Sequence, residues 1–127
     1  MSGVLLDTTE KIDHLRGKEE VTAFLKNLVE AREEVGCRSI NIAEIYAGMR
    51  AHEREQTDRF IGSLRYFEVT REVAKMAGEI KNRKARQGIT LAVTDTIIAA
   101  TALTYGLTLV TRNAKHYPIE ELKISEV

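Results

Sequence analysis

Asp7, Glu44, Asp95 and Asn113 are far apart in the chain, yet each stands where a structural element is expected to begin or end. Asp7 directly follows the apolar run Val4-Leu5-Leu6. Glu44 lies three residues past Asn41 of a second strand-like run, Arg38-Ser39-Ile40-Asn41-Ile42, in the expected first turn of a helix. Asp95 opens an apolar segment, Thr96 to Leu103, and Asn113 follows the run Leu107 to Thr111 by two residues. Carboxylates gathered in one place repel unless protons or a cation compensate them. A set of oxygen donors favours hard ions such as Mg²⁺ or Mn²⁺, which activate water and neutralise charge on a phosphoryl group in transfer. Singly, each residue has an ordinary role: Asp7 ends a strand, Glu44 and Asp95 complement helix N-termini, and Asn113 suits a turn. Asp95 is the most telling. An acid preceding a helix that is apolar on every side must be capped, paired or metal-bound to escape a large desolvation cost.

The elements that would position these residues are legible as hydrophobic periods. Val21, Phe24, Leu25, Leu28 and Val29 repeat at helical spacing, with Gly36 as the expected C-cap. After the strand-like run 38–42, a long polar helix is expected, its buried side marked by Ile45, Met49, Phe60, Ile61 and Leu64. Tyr66-Phe67-Glu68-Val69 reads as a third strand. Thr70 is a candidate cap for a helix striped by Val73, Met76, Ala77 and Ile80, and Gly88 interrupts. Thr94 or Asp95 is expected to cap the apolar helix that Tyr105-Gly106 ends. Leu107 to Thr111 is the clearest strand, and Leu122-Lys123-Ile124 suggests an edge strand. Short apolar strands alternating with amphipathic helices imply an α/β fold, a three-layer α/β/α sandwich with a mostly parallel central sheet. Ligands bind such sheets beyond the carboxyl ends of the strands.

Composition sets the outer bounds. The 127 residues fit one domain, 1–127, and carry 19 Lys+Arg against 19 Asp+Glu, a net charge of zero. Residues 1–60 are net −3 (12 acids, 9 bases) and residues 61–127 net +3 (7 acids, 10 bases). A simple electrostatic nucleic-acid binder would normally be basic. Lys81, Arg83, Lys84 and Arg86 form a local basic cluster, expected as a solvated helix face. One cysteine, Cys37, excludes an internal disulfide framework and a Cys-based zinc cluster. No apolar run has membrane-spanning length and no leader-like segment opens the chain, so a cytoplasmic protein is expected, without a membrane partner. His14, His52 and His116 have no metal-ligand spacing, and neither a phosphate-binding G-x-x-x-x-G-K-[ST] loop nor a G-x-S-x-G elbow occurs.

Four blocks resemble a known family. Leu5-Leu6-Asp7-Thr8-Thr9 followed by Ile12-Asp13-His14-Leu15-Arg16-Gly17 is similar to the opening of PIN domains of the VapC toxin type. Ser39-Ile40-Asn41-Ile42-Ala43-Glu44-Ile45-Tyr46-Ala47-Gly48 resembles their second block, and Asp95-Thr96-Ile97-Ile98-Ala99-Ala100-Thr101-Ala102 their third. Leu107-Thr108-Leu109-Val110-Thr111-Arg112-Asn113-Ala114-Lys115-His116-Tyr117 resembles the fourth. The blocks occur in order across nearly the whole chain.

The resemblance implies a PIN-like fold and a Mg²⁺- or Mn²⁺-dependent ribonuclease, the toxin of a type II toxin–antitoxin pair. By matching position, Asp7, Glu44 and Asp95 are the implied metal-binding acids and Asn113 the fourth polar member. Thr111 is implied to hydrogen-bond a ligand water and Arg112 to contact substrate phosphate. The implied partners are RNA, a small cognate antitoxin and a second copy of the chain, with helices of the first half meeting antitoxin or partner subunit. Two positions depart from the pattern. Thr9 stands where Asn or Ser is usual, keeping a hydroxyl. Asn113 stands where Asp is frequent, which lowers the negative charge of the site and bears on a second metal. The competing expectation is a non-catalytic PIN-like module kept for partner binding. A phosphoacceptor receiver domain needs an Asp at the end of the third strand, and Tyr66 to Thr70 supplies none.

Overall fold

The computed structural model describes residues 3–6, 34–37 and 39–125. They form a five-stranded sheet in the order β3-β2-β1-β4-β5. The strands are β1 (Gly3–Leu6), β2 (Glu34–Cys37), β3 (Arg65–Tyr66), β4 (Leu107–Val110) and β5 (Ile124–Ser125), with helices α1 (Ser39–Gly48), α2 (Arg54–Ser63), α3 (Arg71–Arg86) and α4 (Val93–Tyr105). Every pairing is parallel, with Gly3 opposite Leu107 and Leu6 opposite Val110 at the centre.

Successive strand residues face opposite sides of a sheet, so burial of both sets means cover on both faces. Leu5, Leu107 and Leu109 join Val73, Ala77 and Ile80 of α3 and Ile98, Ala99, Ala100 and Ala102 of α4 in one core. Val4, Leu6 and Val110 are buried too, as is Ile45 of α1, and none of them belongs to that core. The arrangement is the expected α/β sandwich. Among the described residues no helix is long and apolar enough to cross a membrane.

Several local expectations hold. The Thr70 hydroxyl accepts from the Val73 N–H at 3.2 Å, starting α3. Gly106, at φ +65°, closes α4 by donating its N–H to the Ala102 carbonyl. This left-handed conformation is one that a side chain resists. The edge strand lies slightly later than Leu122–Ile124, and the third strand is shorter and earlier than Tyr66–Val69. Its neighbour Phe67 is buried and stacks obliquely on Tyr105 with ring centroids 5.0 Å apart.

Others are corrected. Gly36 is no helix cap, because it pairs with Leu5 inside β2. The run 38–42 is no strand, because α1 already begins at Ser39. The long helix expected after it is two helices, broken where the Glu53 carboxylate accepts from the Arg50 N–H at 2.6 Å and turns the chain at Ala51–Glu53. α4 starts at Val93 with Ala92 as its N-cap and no side-chain capping bond, so neither Thr94 nor Asp95 caps it. The stretch 21–29 lies outside the described residues. The basic cluster does not form one solvated face. Lys84 is buried within the stripe Val73, Ala77, Ile80, the Lys81 ammonium donates to the Leu91 carbonyl, and Arg83 pairs with Glu121 at 3.0 Å.

An exposed polar cluster links α1 and α2. The Tyr46 hydroxyl donates to Asp58 Oδ1 at 2.6 Å, and Arg54 reaches the same carboxylate at 3.3 Å. The Tyr46 bond is the main cause holding the Asp58 carboxyl below the usual carboxylate range and the Tyr46 phenol above its own.

Candidate active site

All strands run the same way, so their carboxyl ends share one edge. α4 leads through Gly106 directly into β4 and so runs back against the strands, with its N-terminus at that edge. Asp95, third residue of α4, therefore stands at the carboxyl edge of the sheet, half-buried. The first turn of a helix has unpaired N–H groups and a partial positive charge, which favours a carboxylate there. Because Ala92 offers no capping side chain, Asp95 is the acid that answers this charge.

The chain leaving β4 arrives at the same edge. Thr111 is fully buried, donates its N–H to the Ser125 carbonyl at 3.1 Å, and accepts the Asn113 N–H on its hydroxyl at 3.0 Å. The Asn113 carbonyl in turn accepts from the His116 N–H at 2.9 Å, forming the short helical turn Ala114–His116. Thr111 thus fixes the backbone that carries Asn113, and both Asn113 and Arg112 are half-buried. A cavity of about 280 Å³ has Asp95 on one wall and Lys115 and His116 on another, so the start of α4 and the turn after β4 meet.

Glu44 lies in the second turn of α1, not the first, since α1 begins earlier than the sequence pattern suggests. It is exposed. Asp7 lies outside the described residues, as does Thr9. Among the described residues no group of three or more His, Cys, Asp or Glu side chains is placed to hold a metal ion. The proposed donors are three carboxylates and an amide, without cysteine or histidine, and that chemistry suits a hard divalent ion.

Sequence patterns gave Lys115 and His116 no part in this site. Both lie in a short turn, where charge has no periodicity to betray its direction. The only sequence clue was their position within the fourth block.

Comparison with known proteins bears on the family and the fold. The family model described as "PIN domain" matches residues 4–122. Ribonuclease VapC10 of Mycobacterium tuberculosis is 36% identical over 123 residues, covering 94% of this chain and 90% of that protein. Ribonuclease VapC19 of the same organism is 30% identical over 115 residues, covering 91% and 92%. DNA-bound VapBC from Salmonella typhimurium contains a chain with TM-score 0.80 and 27% identity, covering 99% of this chain and 98% of that one. With four sequence blocks in order, a parallel sheet in 3-2-1-4-5 order and a family match across nearly its whole length, the chain belongs to the PIN-domain family.

Proposed function

We propose that this chain is a Mg²⁺-dependent endoribonuclease, the toxin of a type II toxin–antitoxin pair. The observation that carries the reading is Asp95 in the uncapped first turn of α4, facing the turn that Asn113 begins, within a PIN-domain chain similar to proteins named ribonucleases. Asp7, Glu44 and Asp95 would hold the ion, with the Asn113 amide oxygen as a neutral fourth donor. When bound, a divalent ion makes water acidic enough to attack at neutral pH and offsets charge on the phosphodiester.

The protein's own contribution is placement. Asp95 is fixed by a helix whose next buried residues, Thr96, Ile98, Ala99 and Ala100, sit in the core. Thr111, itself fully buried, holds the Asn113 backbone through a partly buried bond. Arg112, between them, contacts the substrate phosphate in this reading. No base-reading motif accompanies these groups, so selectivity falls to RNA shape and single-strandedness. A small antitoxin and a second copy of the chain are its partners in this reading, and the cytoplasm its compartment. The similar Salmonella typhimurium structure is named as DNA-bound VapBC.

Purified protein given structured RNAs in Mg²⁺ should cleave them, and EDTA or Asp7→Asn should each abolish cleavage. Cleavage that survives both overturns the reading. Absence of cleavage and of Mg²⁺ binding by calorimetry, with tight binding of a small partner, establishes the non-catalytic alternative that Asn113 invites.

A further inference from the structure

The cavity beside Asp95 contains more than the acidic site requires. Lys115 and His116 line it, and both are exposed. Among the described residues neither side chain has a hydrogen bond or ion pair, whereas Arg83 and Arg54 are paired with carboxylates. Their backbone is nevertheless fixed. The His116 N–H donates to Asn113, the Tyr117 N–H donates to Ala114 at 3.0 Å, and the Tyr117 side chain is buried. Two hydrogen-bonding side chains, one of them cationic, are thus mounted on a braced turn at the mouth of a small cavity.

Residues 89–92 line the same cavity. The Lys81 ammonium donates to the Leu91 carbonyl and ties this segment to α3. Ile89 and Pro118 supply apolar surface, and Thr90 an exposed hydroxyl. At about 280 Å³ the space lies near the lower end of small-ligand sites, about 300 Å³. Among its described lining residues His116 is the single ring on which a base could stack, and no Phe, Tyr or Trp adds a larger platform. The Lys115 and His116 donors beside apolar and hydroxyl groups suit a sugar–phosphate unit.

We propose that this cavity is a backbone subsite for single-stranded RNA, in which Lys115 and His116 hold the phosphate adjacent to the one cleaved at Asp95. The subsite rests on the ribonuclease reading and adds to it how the strand is registered. Lys115 acts as a point charge on phosphate and His116 as a hydrogen-bond donor. Both position substrate without taking part in bond cleavage.

The test uses short fluorescein-labelled single-stranded RNAs. Their binding is followed by anisotropy in EDTA, their cleavage in Mg²⁺, with thermal melting as a folding control. Lys115→Ala and His116→Ala should each weaken binding about fivefold to tenfold and raise KM accordingly, with kcat held within about twofold. Lys115→Ala should also flatten the plot of log affinity against log salt by about 0.7, as loss of one single-strand phosphate contact requires. Lys115→Arg should restore both, and Lys123→Ala, an exposed charge outside the cavity, should change neither. Replacing phosphates one at a time by uncharged methylphosphonate should reveal one position, next to the cut, to which the wild type is sensitive and Lys115→Ala is not. Wild-type affinity and salt dependence in both alanine variants overturn the subsite, and with cleavage intact the ribonuclease reading stands. RNA binding that needs Lys115 in a protein that never cleaves supports the subsite and overturns the ribonuclease reading. A wild type that neither binds nor cleaves overturns both.

Discussion

The two described acids of the proposed site ride on helices built in opposite ways. α4 is buried over most of its surface by small side chains, with Ala99, Ala100, Thr101 and Ala102 fully enclosed, and its acid is half-buried in the first turn. α1 buries Ile45 while Ala43, Ala47 and Gly48 are exposed, and its acid is exposed one turn further in. One acid is held by a helix enclosed on most of its surface, the other by a helix that buries Ile45 and leaves much of its remaining surface exposed. The helices therefore differ in how much displacement their acids can tolerate.

Activity should register that difference most strongly. Asp95→Asn is expected to lower cleavage by about a hundredfold, about 2.7 kcal/mol of barrier, and Glu44→Gln by about tenfold. Single-turnover assays with folding checked by circular dichroism decide this, and equal losses would erase the distinction. Stability should register it next. Ala100→Leu forces a larger side chain into a closed core and should cost about 1–3 kcal/mol, whereas the exposed Ala43→Leu should stay within about 0.5 kcal/mol. Urea denaturation of the two variants measures both.

The glycines ending these helices sharpen the contrast without touching any neighbour, since an added Cβ meets nothing within 4 Å at either. Gly106 has φ +65° and Gly48 does not have positive φ. Gly106→Ala should therefore destabilise by about 1 kcal/mol, while Gly48→Ala should stabilise by up to about 1 kcal/mol through helix propensity.

The smallest effect belongs to the surface of α1 and α2. Asp58 is depressed, so its stabilising contribution is present above the ordinary carboxylate value of 3.8 and lost as pH falls through the lowered one. Tyr46 is raised, so its contribution is present below 10.0 and lost as pH rises through the raised value. Tyr46→Phe should move the Asp58 titration, followed by NMR, back up toward its usual range. An unmoved titration would mean that Arg54 alone holds this carboxylate.

Where local chemistry dictated structure, the sequence was readable. Thr70 as a cap, Gly106 as a stop and the apolar run of α4 each have one economical conformation. β2 was misread because Ser39-Ile40-Asn41-Ile42 alternates like a strand, while Glu34-Val35-Gly36-Cys37 has a charge and a glycine that argue against one. Pairing with β1 overrides those preferences, and the partly buried Ile42, the buried Ile45 and Met49 keep helical spacing instead. Asp95 draws attention in the sequence because an acid near the start of an apolar helix is conspicuous, and the structure places it third in α4 rather than at its cap. Lys115 and His116 draw none, because only the tertiary meeting of residues 89–92 with the turn after β4 makes a cavity of them.

The pairing of β1 with β4 has a consequence for the life of the chain. Gly3 lies opposite Leu107, so the central two strands join residues about a hundred positions apart. Contacts this distant in sequence form late, after much chain entropy has been lost. During synthesis the first strand can meet β2 once residues 34–37 are made, but its other neighbour waits for residues 107–110. The carboxyl-edge positions on α4 and after β4 therefore come together only once residues 107–110 have joined the first strand.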